Sequence, residues 1–307
     1  MKYLIGIDGG GTSTRAALFE LTPEGPGRRI RQAESGSSNL NSNTEEQVRQ
    51  NLADLFRALN PQDAVATGCG IAGVSTPGVT EQIARILSET GYPEPHVVVG
   101  DYETALRGAL GRSPGVLLIA GTGSIAYGQA RDGQLFRSGG YGHLISDGGS
   151  AYDIGRALLA AYVKAIDGAV TKTPLLEALE QELGGPQDAL GKLLNLAYAV
   201  PFDKSRIAAL ARLLDPYIAA EDPAALKIAA EGAGALKQLV ETAARPLKED
   251  TVHLVPAGGM LLHNKNYRAE LERVLRDSDI RYVFAEARAD AMAGAADMAW
   301  EAWEASL

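Results

Sequence analysis

Cysteine is nearly absent. Cys69 is the only one among 307 residues, which excludes an intrachain disulfide and any metal or iron–sulfur centre built from several cysteines. That usage fits a reducing compartment, and a cytoplasmic location is expected. A surplus of positive charge is also lacking. Twenty-nine Lys and Arg stand against 38 Asp and Glu, for a formal net charge of -9. A nucleic-acid partner is therefore not expected, because a phosphate backbone needs clustered cations. A small phosphate ligand stays open, since backbone amides and a metal can hold one. No apolar run reaches the length of a membrane span, and no basic, apolar and small-residue leader precedes the first strand-like segment. Neither a membrane partner nor a signal peptide is expected.

What the chain does have is alternation. "KYLIGID" and "RAALFEL" read as strands joined by a glycine turn, and "RRIRQAESG" as a third strand. Thr44 opens a helix with Gln47 as its capping-box partner, and Leu52, Leu55, Phe56 and Leu59 form its apolar stripe. "AVATGCGIAG" is an apolar strand. A helix is expected over Thr76 to Thr90, closed by Gly91. "HVVVGD" has the composition of a strand buried on both faces. A second cycle follows, in which "GVLLIAGTGSIAYGQA" is strand, glycine turn, strand. Mostly helical sequence then runs to about Leu247, with Asp222 capping a helix that begins at Pro223. "VHLVPAGG", a helix near Asn264 to Arg276, "IRYVFA" and a last helix restore the alternation. The strand–turn–strand unit at 2–21 recurs at 115–130, which predicts two related α/β halves. Their boundary falls in "GRSPG", Gly111 to Gly115.

Five places in the chain hold residues that can do chemistry. In "DGGGTST" three glycines expose backbone N–H groups and Thr12 and Thr14 add hydroxyls, a suitable cradle for phosphate. Asp8 repels bare phosphate, so its natural partner there is Mg²⁺, directly or through water. The stretch is no P-loop, lacking the Gly-Lys-Ser/Thr ending, and no dinucleotide fingerprint, since a strand follows it. A glycine-rich hairpin without a ligand is the competing reading. Gly121-Thr122-Gly123-Ser124 repeats the pattern without an acid, and a plain tight turn explains it equally. Asp101 ends a strand, where ligands bind in open α/β sheets, and suits either a general base or the N-cap of the next helix. Residues 139–155, "GGYGHLISDGGSAYDIG", set six glycines among Tyr141, His143, Asp147, Ser150 and Asp153, either lining a site or capping a helix. Gly258 and Gly259 follow a strand, where a flat base or only a close turn fits.

Taken in order, "GIDGGGTSTR", "GDYETA", "IAGTGS", "GGYGHLISDGGSAY" and "PAGGM" make the chain similar, over nearly its whole length, to one family. It resembles the N-acetylglucosamine kinase branch of the sugar-kinase/actin/Hsp70 ATPase superfamily, the BadF/BadG/BcrA/BcrD ATPase type. The resemblance implies two ribonuclease H-like (actin-like ATPase) α/β domains flanking a nucleotide and sugar cleft. One spans 1–112, with the last helix, about 288–307, packing back onto it. The other spans 113–287 and carries a helical insertion at about 150–247. It implies ATP and Mg²⁺ as cofactors and a sugar as small-molecule partner, and a homodimer is common among relatives of this type. By position, Gly9, Gly10, Gly11, Thr12 and Thr14 form the first phosphate loop, with Asp8 on the metal. Gly121, Thr122 and Gly123 form the second, and Gly258 and Gly259 the adenosine motif. Asp101 matches the catalytic base. Asn39, Gly73, Ser124, Ile125, Gly139, Gly140, Tyr141 and Asp147 match the sugar pocket. Ile125 and Tyr141 depart from the mammalian kinase, which has a polar residue and a tryptophan there.

The expected reaction is ATP-dependent phosphorylation of N-acetylglucosamine at its 6-hydroxyl. Asp101 takes the hydroxyl proton, and Asp147 and Asn39 grip the ring or its 2-substituent. A glucosamine kinase or a broad-specificity hexokinase is the alternative within the family. An actin-like ATPase switch without a sugar is the alternative from another class. A filament-forming member needs an exposed apolar insertion, and none is evident in the sequence.

Overall fold

The computed structural model describes residues 1–74 and 76–307. The chain divides into two compact units, Met1–Arg112 with Glu286–Leu307, and Ser113–Ala285. Among the described residues no helix is long and apolar enough to cross a membrane.

The first unit is built on strands β1 (Tyr3–Gly9), β2 (Ser13–Thr22) and β3 (Gly25–Gly36), then α1 (Glu45–Leu59), β4 (Ala64–Ile71), α2 (Val79–Thr90), β5 (His96–Gly100) and α3 (Asp101–Leu110). Its sheet runs β3-β2-β1-β4-β5, with β1, β2 and β3 antiparallel and β4 and β5 parallel to β1. Strand alternation assigns the two faces. Ile5 and Ile7 join Leu52, Leu55, Ile83 and Ile86 from α1 and α2 on one side. Leu4, Ala17 and Phe19 join Met292, Ala296 and Ala299 of the C-terminal helix, Ala291–Glu304, on the other. Full burial of each such Leu or Ile contributes about 1.5–3 kcal/mol.

That last helix lies on the sheet because glycines make room for it. A Cβ on Gly6 would stand 1.9 Å from the Met292 carbonyl oxygen, and one on Gly68 1.8 Å from that of Ala295. The Thr44 capping box at α1 forms as the sequence expects, with both reciprocal bonds present. Two expectations need correction. The helix expected from Thr76 starts at Val79, because Gly78 sits at φ 84 and cannot continue an α-helical turn. The β5 valines are half-buried rather than enclosed, since β5 is an edge strand of the sheet.

The second unit repeats the plan with β6 (Gly115–Ala120), β7 (Ser124–Gln129) and β8 (Leu135–Gly139). A helical segment follows: α4 (Ala151–Ile166), α5 (Pro174–Glu182), α6 (Ala189–Tyr198), α7 (Lys204–Ala208), α8 (Leu214–Ala219) and α9 (Pro223–Ala244). Then come β9 (Thr251–Ala257), α10 (Gly259–His263), α11 (Lys265–Leu275) and β10 (Arg281–Phe284). The sheet order, β10-β9-β6-β7-β8, has the same connectivity as the first: third, second, first, fourth and fifth strands of each unit. Both units thus have the ribonuclease H-like strand order.

Asp222 caps α9 by accepting from the Ala224 and Ala225 amides and also receives the Leu175 amide at 3.0 Å, which ties the starts of α5 and α9 together. The helical segment also corrects the expectation that no apolar surface is exposed there. Leu190, Leu194 and Tyr198, four residues apart on α6, are 48%, 47% and 78% exposed, and Val200 beyond them is 96% exposed.

Candidate active site

In the first unit the parallel strands end side by side. Asp8 pairs in register with Gly70, Gly9 with Ile71, and Ile71 with Gly100. The turn after β1, the segment after β4 and Asp101 after β5 therefore occupy one edge of the sheet, the carboxyl edge where α/β sheets bind ligands.

The turn itself is closed by the Gly10 amide donating to the Ser13 carbonyl at 3.0 Å. Gly11 and Thr12 at its tip are exposed. A Cβ on Gly11 would meet nothing within 4 Å, and on Gly10 only the Ser13 oxygen at 3.5 Å. Neither residue has a positive φ. The fold itself does not require glycine at these two positions, so their bareness is available to something outside the chain. The Asp8 carboxylate accepts from the Arg15 guanidinium at 2.5 Å, with Arg15 half in solvent.

The loop that follows β3 braces the turn from behind. Thr14 is fully buried and donates its hydroxyl to Ser38 Oγ at 2.8 Å, and Ser37 Oγ donates to the Gly10 carbonyl at 3.0 Å. Thr14, expected to meet phosphate, instead holds this loop, because its β2 position points the hydroxyl into the protein. Asn39 accepts the Asn41 amide at 2.8 Å, and a Cβ on Gly73 would stand 2.8 Å from Asn39 Oδ1. Asn39 and Gly73 are thus brought together beside the same edge.

Asp101 is the first residue of α3, and Gly100 is the N-cap, so the N-cap reading of Asp101 is replaced. Its Oδ1 accepts its neighbour Tyr102's amide at 3.0 Å. Among the described residues it has no ion-pair partner. Burial, and then the charge of Asp8, push its carboxyl above the ordinary aspartate range. Two carboxylates therefore repel one another on this edge.

The second unit has the corresponding turn. The Gly121 amide donates to the Gly123 carbonyl at 2.9 Å, and the first amides of α4, Ala151 and Tyr152, donate to the Gly121 and Thr122 carbonyls at 2.8 and 3.3 Å. Thr122 is exposed at the tip, and a Cβ on Gly121 would meet nothing within 4 Å. Gly258 lies against this turn at φ 85, where a Cβ would be 2.4 Å from the Ala120 oxygen. Its glycine is thus required by packing, whereas Gly259 is exposed, with His263 no nearer than 3.7 Å to a Cβ there.

Asp147 is placed differently from the expectation that it grips a ring hydroxyl. It is 3% exposed at φ 66, and its Oδ1 accepts the Ser124 amide at 3.3 Å. Ser124 in turn donates its hydroxyl to the Gly148 carbonyl at 2.8 Å. The carboxylate faces inward and clamps the turn to the glycine-rich loop.

That loop carries Gly139 and Gly140, both at positive φ, and a Cβ on Gly140 would strike the Ile125 side chain at 2.3 Å. Tyr141 is 64% exposed, and the Arg137 guanidinium stacks on its ring with 4.7 Å to the centroid. Ile125, Gly139, Gly140 and Tyr141 are therefore neighbours, as a shared pocket wall needs. His143 is packed among Tyr152 and Phe202, at 4.9 and 5.4 Å between ring centroids.

Sequence reasoning did not single out Arg15, Ser37, Ser38 or Arg137. A readable signal existed for Arg15 alone, because its antiparallel register opposite Asp8 follows from a four-residue hairpin loop.

Residues 5–299 match the BadF/BadG/BcrA/BcrD ATPase family, and the chain belongs to it. The N-acetylmuramic acid/N-acetylglucosamine kinase of Clostridium acetobutylicum is 34% identical over 281 residues, 87% of this chain and 88% of that protein. The N-acetyl-D-glucosamine kinase of Dictyostelium discoideum is 29% identical over 278 residues, covering 84% of this chain and 85% of that one. The crystal structure of a protein assigned as an N-acetylglucosamine kinase, from Chromobacterium violaceum, superposes with a TM-score of 0.69 at 25% identity, covering 96% of this chain and 98% of its own.

Proposed function

We propose that this chain is an ATP-dependent amino-sugar kinase that phosphorylates N-acetylglucosamine at its 6-hydroxyl, with Asp101 as general base. The observation that carries the assignment is Asp101 itself. A partly buried carboxylate beside a second carboxylate, with no ion-pair partner among the described residues and only backbone amides such as that of Tyr102 as donors, is held at a cost that these bonds do little to offset. Its place at the head of a helix, on the strand edge that holds the glycine turn, suits a group that orients a hydroxyl and takes its proton. The names of the curated relatives support the sugar, and the family supports the nucleotide.

On this reading the two turns, Gly9, Gly10, Gly11 and Thr12, and Gly121, Thr122 and Gly123, receive phosphate oxygens, their exposed tips being Gly11, Thr12 and Thr122. Gly258 and Gly259 flank the adenosine. Thr14 keeps the first turn in shape through Ser38, and Asp147 does the same for the second through Ser124. The residues assigned to the sugar are Asn39 and Gly73, and Ser124, Ile125, Gly139, Gly140 and Tyr141.

Mg²⁺ fits the first unit. Among the described residues no group of three His, Cys, Asp or Glu side chains forms a cage, and Mg²⁺ normally arrives with nucleotide phosphates and water, held by one or two carboxylates. Asp8 supplies such a carboxylate, and the mutual repulsion of Asp8 and Asp101 is the charge a cation would offset. When bound, the ion neutralises phosphate charge. Asp101 meanwhile holds the hydroxyl in line and accepts its proton, and positioning supplies most of the acceleration because the transition state is loose.

The test is a coupled assay of ADP release with Mg·ATP and a panel of N-acetylglucosamine, glucosamine, glucose and N-acetylmuramic acid. A kinase releases ADP only when sugar is present. Equal release without sugar would overturn the reading in favour of an ATPase switch. Best turnover with glucosamine or glucose would move the substrate to the alternatives within the family, one of whose members is named glucosamine kinase, from Vibrio cholerae.

A further inference from the structure

Arg137 is the one strongly basic group on the wall assigned to the sugar, and it is held rather than left mobile. Its Nε–H donates to the Gly139 carbonyl at 3.1 Å and its Nη2 to the Gly140 carbonyl at 2.7 Å. The guanidinium carbon lies over the exposed Tyr141 ring. Both carbonyls belong to residues at positive φ, next to Ile125.

A guanidinium has five N–H donors in a fixed fork. Two are spent on these carbonyls. Among the described residues both donors of Nη1 and one of Nη2, the end-on edge, have no protein partner, and no carboxylate pairs with Arg137. Most other arginines of the chain are placed otherwise: Arg15, Arg28, Arg29, Arg49, Arg107 and Arg131, for example, each pair with an Asp or Glu. A chain of net charge -9 has ample acid to neutralise this cation too, and none is placed there.

A neutral hexosamine gives such a fork no counter-charge. A carboxylate does, and the planar end-on pair is the geometry in which arginine recognises one bidentately. Because two hydrogen bonds and the Tyr141 ring already fix the rotamer, little side-chain entropy is lost on binding.

Building on the kinase reading above, and on the N-acetylmuramic acid in the name of the Clostridium acetobutylicum relative, we propose that Arg137 is the residue that reads the carboxylate of such a sugar. Lys at this position keeps the charge but loses the fork. Gln keeps a donor for the loop carbonyls but loses the charge.

The experiment compares N-acetylmuramic acid, as the carboxylate-bearing probe, with N-acetylglucosamine. kcat/KM is measured for each in wild type, Arg137→Lys and Arg137→Gln. The quantity read is the ratio of the two kcat/KM values, which cancels any general damage to the loop. We expect the wild type to use both sugars. The ratio should fall about tenfold in Arg137→Gln, the scale of one charge-assisted hydrogen bond, and less in Arg137→Lys. It should also fall with added salt in the wild type and not in Arg137→Gln. An unchanged ratio in Arg137→Gln would make Arg137 a loop brace and overturn the proposal. So would a wild type that phosphorylates N-acetylglucosamine but not N-acetylmuramic acid, which would leave the kinase reading standing. Turnover of neither sugar would remove both.

Discussion

The two units share a strand order but differ at the tip of their central strands. Register places Asp8 of β1 opposite Gly70 of β4, and Ile119 of β6 opposite Ala257 of β9. Where the first unit has an acid at the penultimate position of its strand, the second has an apolar residue. The turns that follow differ too, four residues between the paired Gly9 and Thr14, three between Ala120 and Ser124. The second unit does have an acid nearby, Asp147, but it is buried and bonded to the Ser124 amide. The lesson is that a duplicated scaffold has been specialised by charge. On the proposed reading, the first unit keeps two carboxylates at the carboxyl edge of its sheet for chemistry. The second uses its carboxylate as an internal brace and offers backbone and an apolar wall.

This contrast is broken or sharpened most strongly at Asp101. Asp101→Asn is expected to lower kcat by about 10²- to 10⁴-fold, the usual contribution of a general base. Steady-state kinetics beside calorimetric sugar binding would check it, and turnover within tenfold of wild type would end the role. The same substitution should not lower the melting temperature. The carboxyl binds its proton more tightly in the folded state than in the unfolded one, so above its raised pKa the ionised form weakens folding. The asparagine removes that penalty.

Asp8→Ala comes next, with nucleotide affinity reduced about tenfold or more and sugar affinity little changed. It should also shift the pH profile. A raised pKa at Asp101 puts the acid limb of kcat/KM for sugar above the ordinary aspartate range, with activity lost as the pH falls through it. Asp8 contributes to that rise, so its removal should move the limb to lower pH. A limb that stays in place would separate the two carboxylates.

Glycines provide a third comparison. Gly68→Ala forces a Cβ to 1.8 Å from the Ala295 oxygen, so the C-terminal helix must shift, at a cost of about 1–3 kcal/mol or more. Gly11→Ala meets nothing within 4 Å and should leave thermal stability unchanged while weakening ATP. A stable Gly68→Ala variant or unaltered nucleotide binding by Gly11→Ala would contradict the distinction.

The smallest effect is expected at Asp147. Asp147→Asn retains an oxygen for the Ser124 amide and a residue type tolerant of positive φ, so kcat should stay within about threefold. A loss approaching that of Asp101→Asn would give the second unit a chemical acid and erase the contrast.

Short-range features were legible in the chain alone. The alternation of strands and helices, the Thr44 capping box, the Asp222 cap and both glycine turns follow from residues within a few positions of one another, because backbone conformation and caps depend on near neighbours. The duplicated strand–turn–strand plan was visible for the same reason. What required the tertiary structure depends on residues far apart. Burial of the Thr14 hydroxyl on Ser38, the inward turn of Asp147, the edge position of β5 and the nearness of Asp8 to Asp101 are set by register and layer packing. The two classes of glycine could not be told apart by composition either. Whether a missing Cβ makes space for a helix or for a ligand depends only on what stands opposite it in three dimensions.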